Sequence, residues 1–537
     1  MLPVIGLPVG PGWIGRLVHV FDSSSAVLLA RGIPSPSQPL GTGGQLPCHW
    51  RVDAPASGST AALNALIARV ANRLLEPAAI CLAGTFRAPI LIQGKTTRAL
   101  LVLESAPGVA AVVAPGLLRG AAAAPDGTEG ALEVLGSRGV VVRGIRIEHV
   151  TSVPQVTPAG IVVEVSPGSA CLVRGPGRCG DIALVDDVVD GVRAPGDLWP
   201  PTRRACGSAA VDGYGIEVFD AAAGPRRALT NVALVGDLVE NTRIGQSETV
   251  AISGNVADAL VAHTQVLGSD NIGIDVEGFY GTTARPHDVA LVGDEVAVVD
   301  SWTNAGYGHW SRGRCAPGAP SAAGIYDDGA AWLLIARDRV VDTNQGVSLD
   351  TETPGHESDH VVIADTVVSD GPSVALPAGA REAARAAGLT GVVAQGGRAF
   401  DALYIDAFGR RTSISDVVVV NDRLDNESTF WSRRLGSRNA VVLLGGRWWR
   451  VDLIDLVASA PTGSSAATPF QLDRFPVTWR GSRFVCVRLD GGPPVGAVST
   501  PATTQATLAR SLGRVGRTVL TGCRASSGRH DEESILD

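Results

Sequence analysis

From residue 79 onward the apolar residues come in short runs, mostly Val, Leu, Ile and Ala, broken by Gly, Asp or Asn. Runs of that length between turn residues read as buried strands. One stretch departs from this pattern. Over residues 56–76, Leu63, Leu66, Ile67, Val70 and Leu74 fall on one face of a helix that Ser59 or Thr60 can cap, and the helix ends near Pro77.

After residue 180 a phrase repeats: IALVDDVV, VALVGDLV, ALVAHTQV, VALVGDEV, LLIARDRV, VVIADTVV and VVVVNDRL. Its polar positions are Asp187, Asp237, Thr264, Asp294, Asp338, Asp365 and Asp422, at intervals of 50, 27, 30, 44, 27 and 57 residues. A coil of about 22–30 residues with insertions in the long intervals accounts for them. Aspartates at such corners are expected to cap turns. A second column starts with glycine at Gly215, Gly245, Gly273, Gly324 and Gly346 and alternates with the first. Two walls of one winding coil, each pairing parallel with its counterpart in the next turn, produce this order.

The helix-capped start, the coil length and the phrases SDNIGIDVEG and GIYDDGAAWLLIARDRVVDTNQGVSLDTE resemble the pectate-lyase-like superfamily over roughly residues 60–460. The resemblance implies an all-β fold, a single-stranded right-handed parallel β-helix with an N-terminal capping helix. It implies carbohydrate chemistry less narrowly, because the superfamily holds lyases, hydrolases, epimerases and noncatalytic surface proteins. The paired-Asp, Gly-His-Gly and Arg-x-Lys signatures of polygalacturonases do not occur together. The expected organisation is an irregular segment 1–55, a β-helix 56–460 and irregular strands with a disordered tail over 461–537. The helix lies at 56–76, and insertions are expected at 191–210, 301–320 and 371–398.

Composition agrees with a long solenoid and narrows its partners. Hydrophobic residues reach 45% while aromatics are 5%, so the core is aliphatic. The net charge is −8 without a basic stripe, which argues against nucleic acid. Lys95 is the only lysine among 45 basic residues, and it lies far in sequence from the acidic phrases, which disfavours a lysine-based lyase. No apolar run is long enough for a membrane span. The apolar first fifteen residues lack a basic n-region and make a poor signal peptide. Glycine-rich stretches lack a P-loop or Rossmann context, so no nucleotide or organic cofactor is expected. The eight cysteines contain no CxxC pair. They are either buried thiols or, in an exported protein, loop staples such as Cys171–Cys179 or Cys179–Cys206.

Strand alternation places Ile272, Ile274, Val276, Val347, Leu349 and Thr351 inward, so Glu217, Phe219, Asp275, Glu277, Ser348, Asp350 and Glu352 are expected to face solvent. Stacking the strands on their glycines gives one outward column of Glu217, Ser247, Asp275, Tyr326 and Ser348, and another of Phe219, Thr249, Glu277, Asp328 and Asp350. Carboxylates about 4.8 Å apart repel one another unless a cation, an arginine or a proton intervenes. Asp275, Glu277, Asp328, Asp350 and Glu352 are therefore candidate Ca²⁺ ligands. Asp275, Glu277, Asp328 and Asp350 are equally candidates for glycosidase acid and base. Tyr280 and His287 are candidate bases, and Arg285 a candidate partner for a sugar carboxylate. Trp302, Tyr307, His309 and Trp310, on the 301–320 insertion, and Tyr326 and Glu217 are candidate sugar contacts. His356 and His360 have the four-residue spacing of a helical metal pair, but Pro354 and the strand that follows argue against a helix there.

The expectation is an exported polysaccharide lyase or glycoside hydrolase acting extracellularly or at the cell surface on an acidic or plant-type polysaccharide. The alternative is a noncatalytic glycan-binding or surface-display solenoid.

Overall fold

The computed structural model describes residues 46–490 except 121–126, 174–177, 209–211, 223–227, 279–283, 319–320, 352–354, 372, 390–400, 407–412, 421, 427–438, 445–446, 455, 460–466, 473–477, 481–482 and 486–487. The chain winds as a right-handed parallel β-helix. One coil is representative: Leu229–Val235 lies in a first sheet, Leu238–Thr242 in a second and Val250–Gly254 in a third. The next coil contributes Val256–Ala262, Gln265–Ser269 and Ile274–Glu277, each parallel to its predecessor. The phrases 231–239 and 288–296 therefore share the same two sheets, with Val256–Ala262 and Gln265–Ser269 between them.

The sequence suggested two walls, and the coil has three. The repeating phrase is not one strand but two, bent at its polar position. A left-handed residue makes the bend: Asp186, Gly236, His263, Gly293, Arg337 and Asp365 all have φ between 53° and 71°. The residue after each lies in a buried ladder. Asp187 Oδ1 accepts the Ile145 amide (2.8 Å), Asp237 Oδ1 that of Asp187 (2.9 Å), Asp294 Oδ1 that of Thr264 (2.8 Å) and Asp422 Oδ1 that of Thr366 (2.6 Å). These aspartates do cap turns. In the 360s coil, however, the ladder position is Thr366 and not Asp365, which occupies the left-handed bend.

The interior is filled by Val, Ile and Leu from all three sheets, including Leu291, Ile274, Val276, Val347 and Leu349, each at most 1% exposed. The glycine column has a steric cause. A Cβ on Gly215, Gly273, Gly324 or Gly346 would sit 2.3–2.6 Å from Cγ1 of Val239, Val296, Val340 or Val368 of the second sheet. Gly245 is not part of that column. The counterpart of Gly215 is Thr249, and the strand of that coil begins at Val250.

The helix Ala61–Val70 buries Leu63 and Ile67 against the first coils, with Leu66, Val70 and Leu74 partly buried beside them. Thr60 occupies its N-cap without a side-chain capping bond, because its hydroxyl donates to the Pro89 carbonyl at 2.8 Å. Two other features lie outside the span first read as β-helix. Cys48–Asp53 pairs parallel with Ala78–Phe86, and Ala467–Leu472 and Arg483–Val485 continue the third and first sheets. Among the described cysteines all six are oxidised, as Cys48–Cys81, Cys171–Cys179 and Cys206–Cys315. The thiol reading and the Cys179–Cys206 pairing are thereby corrected. No described helix is long and apolar enough to cross a membrane.

Three excursions meet at one buried arginine. Arg243 bonds Asp197 Oδ1 at 3.0 Å and lies 3.3 Å from Asp270. It also donates to the carbonyls of Thr303 and Ala387. The 191–210 and 301–320 insertions and the end of the Ala380–Ala386 helix are thus clamped to one coil. That helix lays Ala380, Ala383 and Ala384 on Leu267, Ala297 and Val341 of the second sheet.

Candidate functional site

Register along the third sheet sets its two outward columns. One reads Glu217, Ala251, Asp275, Tyr326, Ser348 and Tyr404; the other reads Phe219, Ser253, Glu277, Asp328, Asp350 and Asp406. The sequence placed Ser247 and Thr249 where Ala251 and Ser253 stand, because Gly245 was taken as the strand start. Tyr404 and Asp406 were missed, although DALYID has the same alternation as GIYDD.

The larger correction concerns solvent. Glu217, Phe219, Asp275, Glu277, Asp328, Ser348 and Asp350 point away from the aliphatic core, yet each is at most 4% exposed. The outer face of the third sheet is a buried acidic seam and not a solvated surface. Glu352 and Tyr280 lie outside the described residues.

The seam is most crowded where its strands carry small residues. Ala251 and Ser253 separate Glu217 from Asp275 and Phe219 from Glu277, and Glu248, from the turn before them, brings a third carboxyl there. Oxygens of Glu248, Asp275 and Glu277 all lie within 4.8 Å of one another, and all three residues are buried. Ser253 Oγ donates to Glu277 Oε1 at 2.6 Å. One oxygen of Asp275 and one of Glu248 have no hydrogen-bond partner.

Burial first, then repulsion from Glu277, Glu248, Asp328 and Asp327, pushes Asp275 well above the carboxylate range. Burial, then Glu277, Asp212 and Glu217, does the same to Glu248. Asp327, on the inward side of the next strand in register with Val276 and Leu349, is raised to about 8 by burial despite accepting the Ala330 amide at 2.8 Å. The seam therefore sets carboxyls that burial and like charge push toward the protonated form beside other carboxyls, an arrangement that suits separate acid and base roles.

The basic candidates are distributed differently. Arg285 pairs with Asp359, and its Cβ would stand 3.0 Å from a Cβ at Gly278, the residue after Glu277. His287 opens a strand of the first sheet, 2.8 Å from Asp288, off the seam. His356, which the sequence considered only with His360, would lie 3.3 Å (Cβ to Cβ) from the same Gly278 position and is buried. Its spacing from the strands gave no signal of this position. His360 stacks on Trp332 with ring centroids 4.0 Å apart, so the two histidines do not form a metal pair. Lys95 is not brought across the fold: its ammonium donates to the carbonyls of Thr97, Ala99 and Arg138 at 2.7, 2.7 and 2.9 Å.

The 301–320 insertion flanks the seam at the start of its strands. Asn304 donates to the Gly245 and Asp270 carbonyls, and Gln246 to that of Gly306. Trp302 and Tyr307 are half-buried, and Asn271 donates to the Tyr307 hydroxyl at 3.4 Å. His309 and Trp310 are exposed on a short hairpin, His309–Ser311 with Arg314–Ala316. Tyr326 lies within the seam and is buried.

No family model matches the chain. An uncharacterized protein of Bacillus subtilis strain 168, YwoF, is 29% identical over 130 residues, which are 24% of this chain and 26% of that protein. Among solved structures, the catalytic unit of a GH87 α-1,3-glucanase from Streptomyces thermodiastaticus is 12% identical with a TM-score of 0.47, over 85% of this chain and 72% of that one. The A-module of the Azotobacter vinelandii mannuronan C-5 epimerase AlgE4 is 11% identical with a TM-score of 0.43, over 85% and 96%. A GH136 lacto-N-biosidase from Eubacterium ramulus is 10% identical with a TM-score of 0.39, over 80% of this chain and 64% of that one. By their names these three proteins are a glucanase, an epimerase and a lacto-N-biosidase.

Proposed function

We propose that this chain is an exported glycoside hydrolase acting on a polysaccharide at the outer face of its third sheet. The observation that carries the reading is the Glu248–Asp275–Glu277 cluster, three buried carboxyls whose oxygens lie within 4.8 Å of one another. Glycosidases use two carboxyls across the scissile bond, about 5–5.5 Å apart in retaining enzymes and wider in inverting ones; oxygens of Asp275 and Glu277 within 4.8 Å of each other stand at the short, retaining end. Asp275, whose proton is held by burial and by its acidic neighbours, takes the acid role. Glu277, oriented by the Ser253 hydroxyl, takes the role of base or nucleophile. Asp328, next on the same column, is the following carboxyl along the substrate path.

A lyase receives less support. Lys95 is spent on three carbonyls, Arg285 pairs through one nitrogen with Asp359, and His287 lies off the seam beside Asp288. The three disulfides suit an oxidising compartment and support export.

The same oxygens favour a second reading, in which Ca²⁺ occupies the cluster. Hard oxygen donors and an orphaned oxygen on each of Glu248 and Asp275 fit that ion, with Glu248 replacing the more distant Asp350 of the expected set. The ion would supply charge neutralisation, and the protein residues would hold the sugar.

The test is a polysaccharide panel with and without EDTA, following reducing ends and unsaturated-uronate absorbance. Hydrolysis without new absorbance is expected, lost at least about a hundredfold in Glu277→Gln and in Asp275→Asn. Unsaturated products would overturn the hydrolase assignment. Binding without turnover on every glycan would identify a noncatalytic glycan-binding solenoid.

A further inference from the structure

The 191–210 and 301–320 insertions are joined at their tips by Cys206–Cys315, across 109 residues of sequence. Residues 198–207 and 307–316 contain four arginines, Arg203, Arg204, Arg312 and Arg314, and no acidic residue, in a chain of net charge −8. All four are exposed, and none forms an ion pair among the described residues. Two large apolar side chains accompany them, Leu198 at 67% and Trp310 at 39% exposed.

The backbone presents these groups deliberately. Arg312 and Gly313 both have positive φ, 51° and 79°, the pattern of a two-residue type I′ hairpin turn. Arginine is an unfavourable choice at the first of these positions, where Asn or Asp is preferred. Trp310 pairs with Cys315 across the hairpin, so it lies on the face that carries the disulfide to Cys206, while Arg314, paired with Ser311, leaves from the other face and Arg312 projects from the turn between them. The base of the 301–320 insertion reaches the turn that carries Glu248, where Gly306 accepts from Gln246 at 3.2 Å, so the knob stands at that end of the seam.

We propose that this disulfide-linked knob is a docking site for carboxylated polysaccharides, polyuronates in chemical class. The inference rests on the carbohydrate reading above and names the kind of chain that reading leaves open. Guanidinium groups match carboxylates as planar two-pronged donors, and the indole ring offers a flat apolar surface to a pyranose. Arg285, the partner first expected for a uronate, is engaged by Asp359; the knob supplies free guanidinium groups at the edge of the same face. Two loop tips carrying two charges each suit a flexible anionic glycan better than a duplex, which calls for a longer stripe.

The experiment is affinity electrophoresis and biolayer interferometry of the full chain against polygalacturonate, alginate, dextran and double-stranded DNA at 50 and 300 mM NaCl. Wild type should bind the polyuronates, more weakly at the higher salt. It should bind neither dextran nor DNA with comparable strength. The quadruple Arg→Gln variant at 203, 204, 312 and 314 should lose at least tenfold in polyuronate affinity with an unchanged melting temperature, and Trp310→Ala should weaken the binding that survives at 300 mM. Equal polyuronate binding by the quadruple variant overturns the proposal, as does DNA binding as tight as polyuronate binding. Should the quadruple variant prove less stable, Arg312→Gln with Arg314→Gln on the hairpin alone decides, by the same tenfold criterion. Uronate binding through the knob without turnover on any glycan would refute the hydrolase reading and leave this one standing. Turnover on glycans that the knob does not bind would do the reverse.

Discussion

Asp338 accepts, through its side chain, the backbone amide of Asp294, 44 residues earlier in the chain, at 2.7 Å. Asp294 in turn accepts from Thr264, so the corner between the first two sheets is stitched by buried carboxyls running along the solenoid. Burial pushes Asp294 up to about 7 and Asp187 to about 8, and Asp237 and Asp338 well above the usual range. The folded chain therefore holds these protons more tightly than the unfolded chain, whose aspartates titrate near 3.9. Their contribution to stability is fully present below about pH 4 and is lost as pH rises through 7–8. The melting temperature should be higher at pH 5 than at pH 8. Asp294→Asn, which keeps an acceptor and removes a titrating group, should flatten part of that slope. A melting temperature that climbs steadily from pH 5 to pH 8 would refute this.

Leu291 is fully buried in the aliphatic interior. Leu291→Asp removes its packing and introduces a charge without a partner, costing at least about 4 kcal/mol. Chemical denaturation measures it. Wild-type stability would mean that the side chain is not inward.

Lys95 is the ammonium for three carbonyls at once. Lys95→Met fills a similar volume but leaves those acceptors in a dry environment, at a cost of about 3 kcal/mol. Turnover in the surviving folded fraction should be unchanged, and a selective loss of kcat would return Lys95 to the chemistry.

Arg243→Met should cost about 3–5 kcal/mol, because Asp197, held low against burial by its hydrogen bond with Asp270 and by Arg243, would remain buried without its counter-charge. The damage should be regional. Hydrogen exchange should quicken over 194–208 and 301–308 before it does so in the sheets, and uniform acceleration would show that Arg243 supports the coil and not the excursions.

Ca²⁺ separates the two occupancies of the acidic cluster. If the ion is bound, it raises the wild-type melting temperature, by about 2.7 kcal/mol of stabilisation at a hundred times its Kd. Glu248→Gln with Asp275→Asn should abolish the rise. A wild-type melting temperature indifferent to millimolar Ca²⁺ leaves protons as what relieves the repulsion.

The fold was legible because stacking repeats the same demand in every turn. The glycine before Ile216, Ile274, Ile325 and Val347 recurs since a valine of the second sheet leaves no space for a Cβ. The third wall was hidden because the repeating phrase bends without interrupting its apolar run, and only a φ value marks the corner at Gly236 or Asp186. The acidic columns followed from alternation alone. What alternation does not carry is cover: it tells which side chains leave the core and not whether other segments close over them. Asp275 and Glu277 were thus placed on the correct side with the wrong surroundings. Glu248 and His356 reach the seam from turns, where no periodicity points to them.

The bond between Cys206 and Cys315 also constrains how this protein can vary by descent. Each insertion alone is a loop that a solenoid tolerates losing, but shortening one tip strands a thiol on the other and exposes it to wrong partners during oxidation. The two excursions are in that sense one heritable unit written in two places. Among natural variants they should appear together, disappear together, and change length in step.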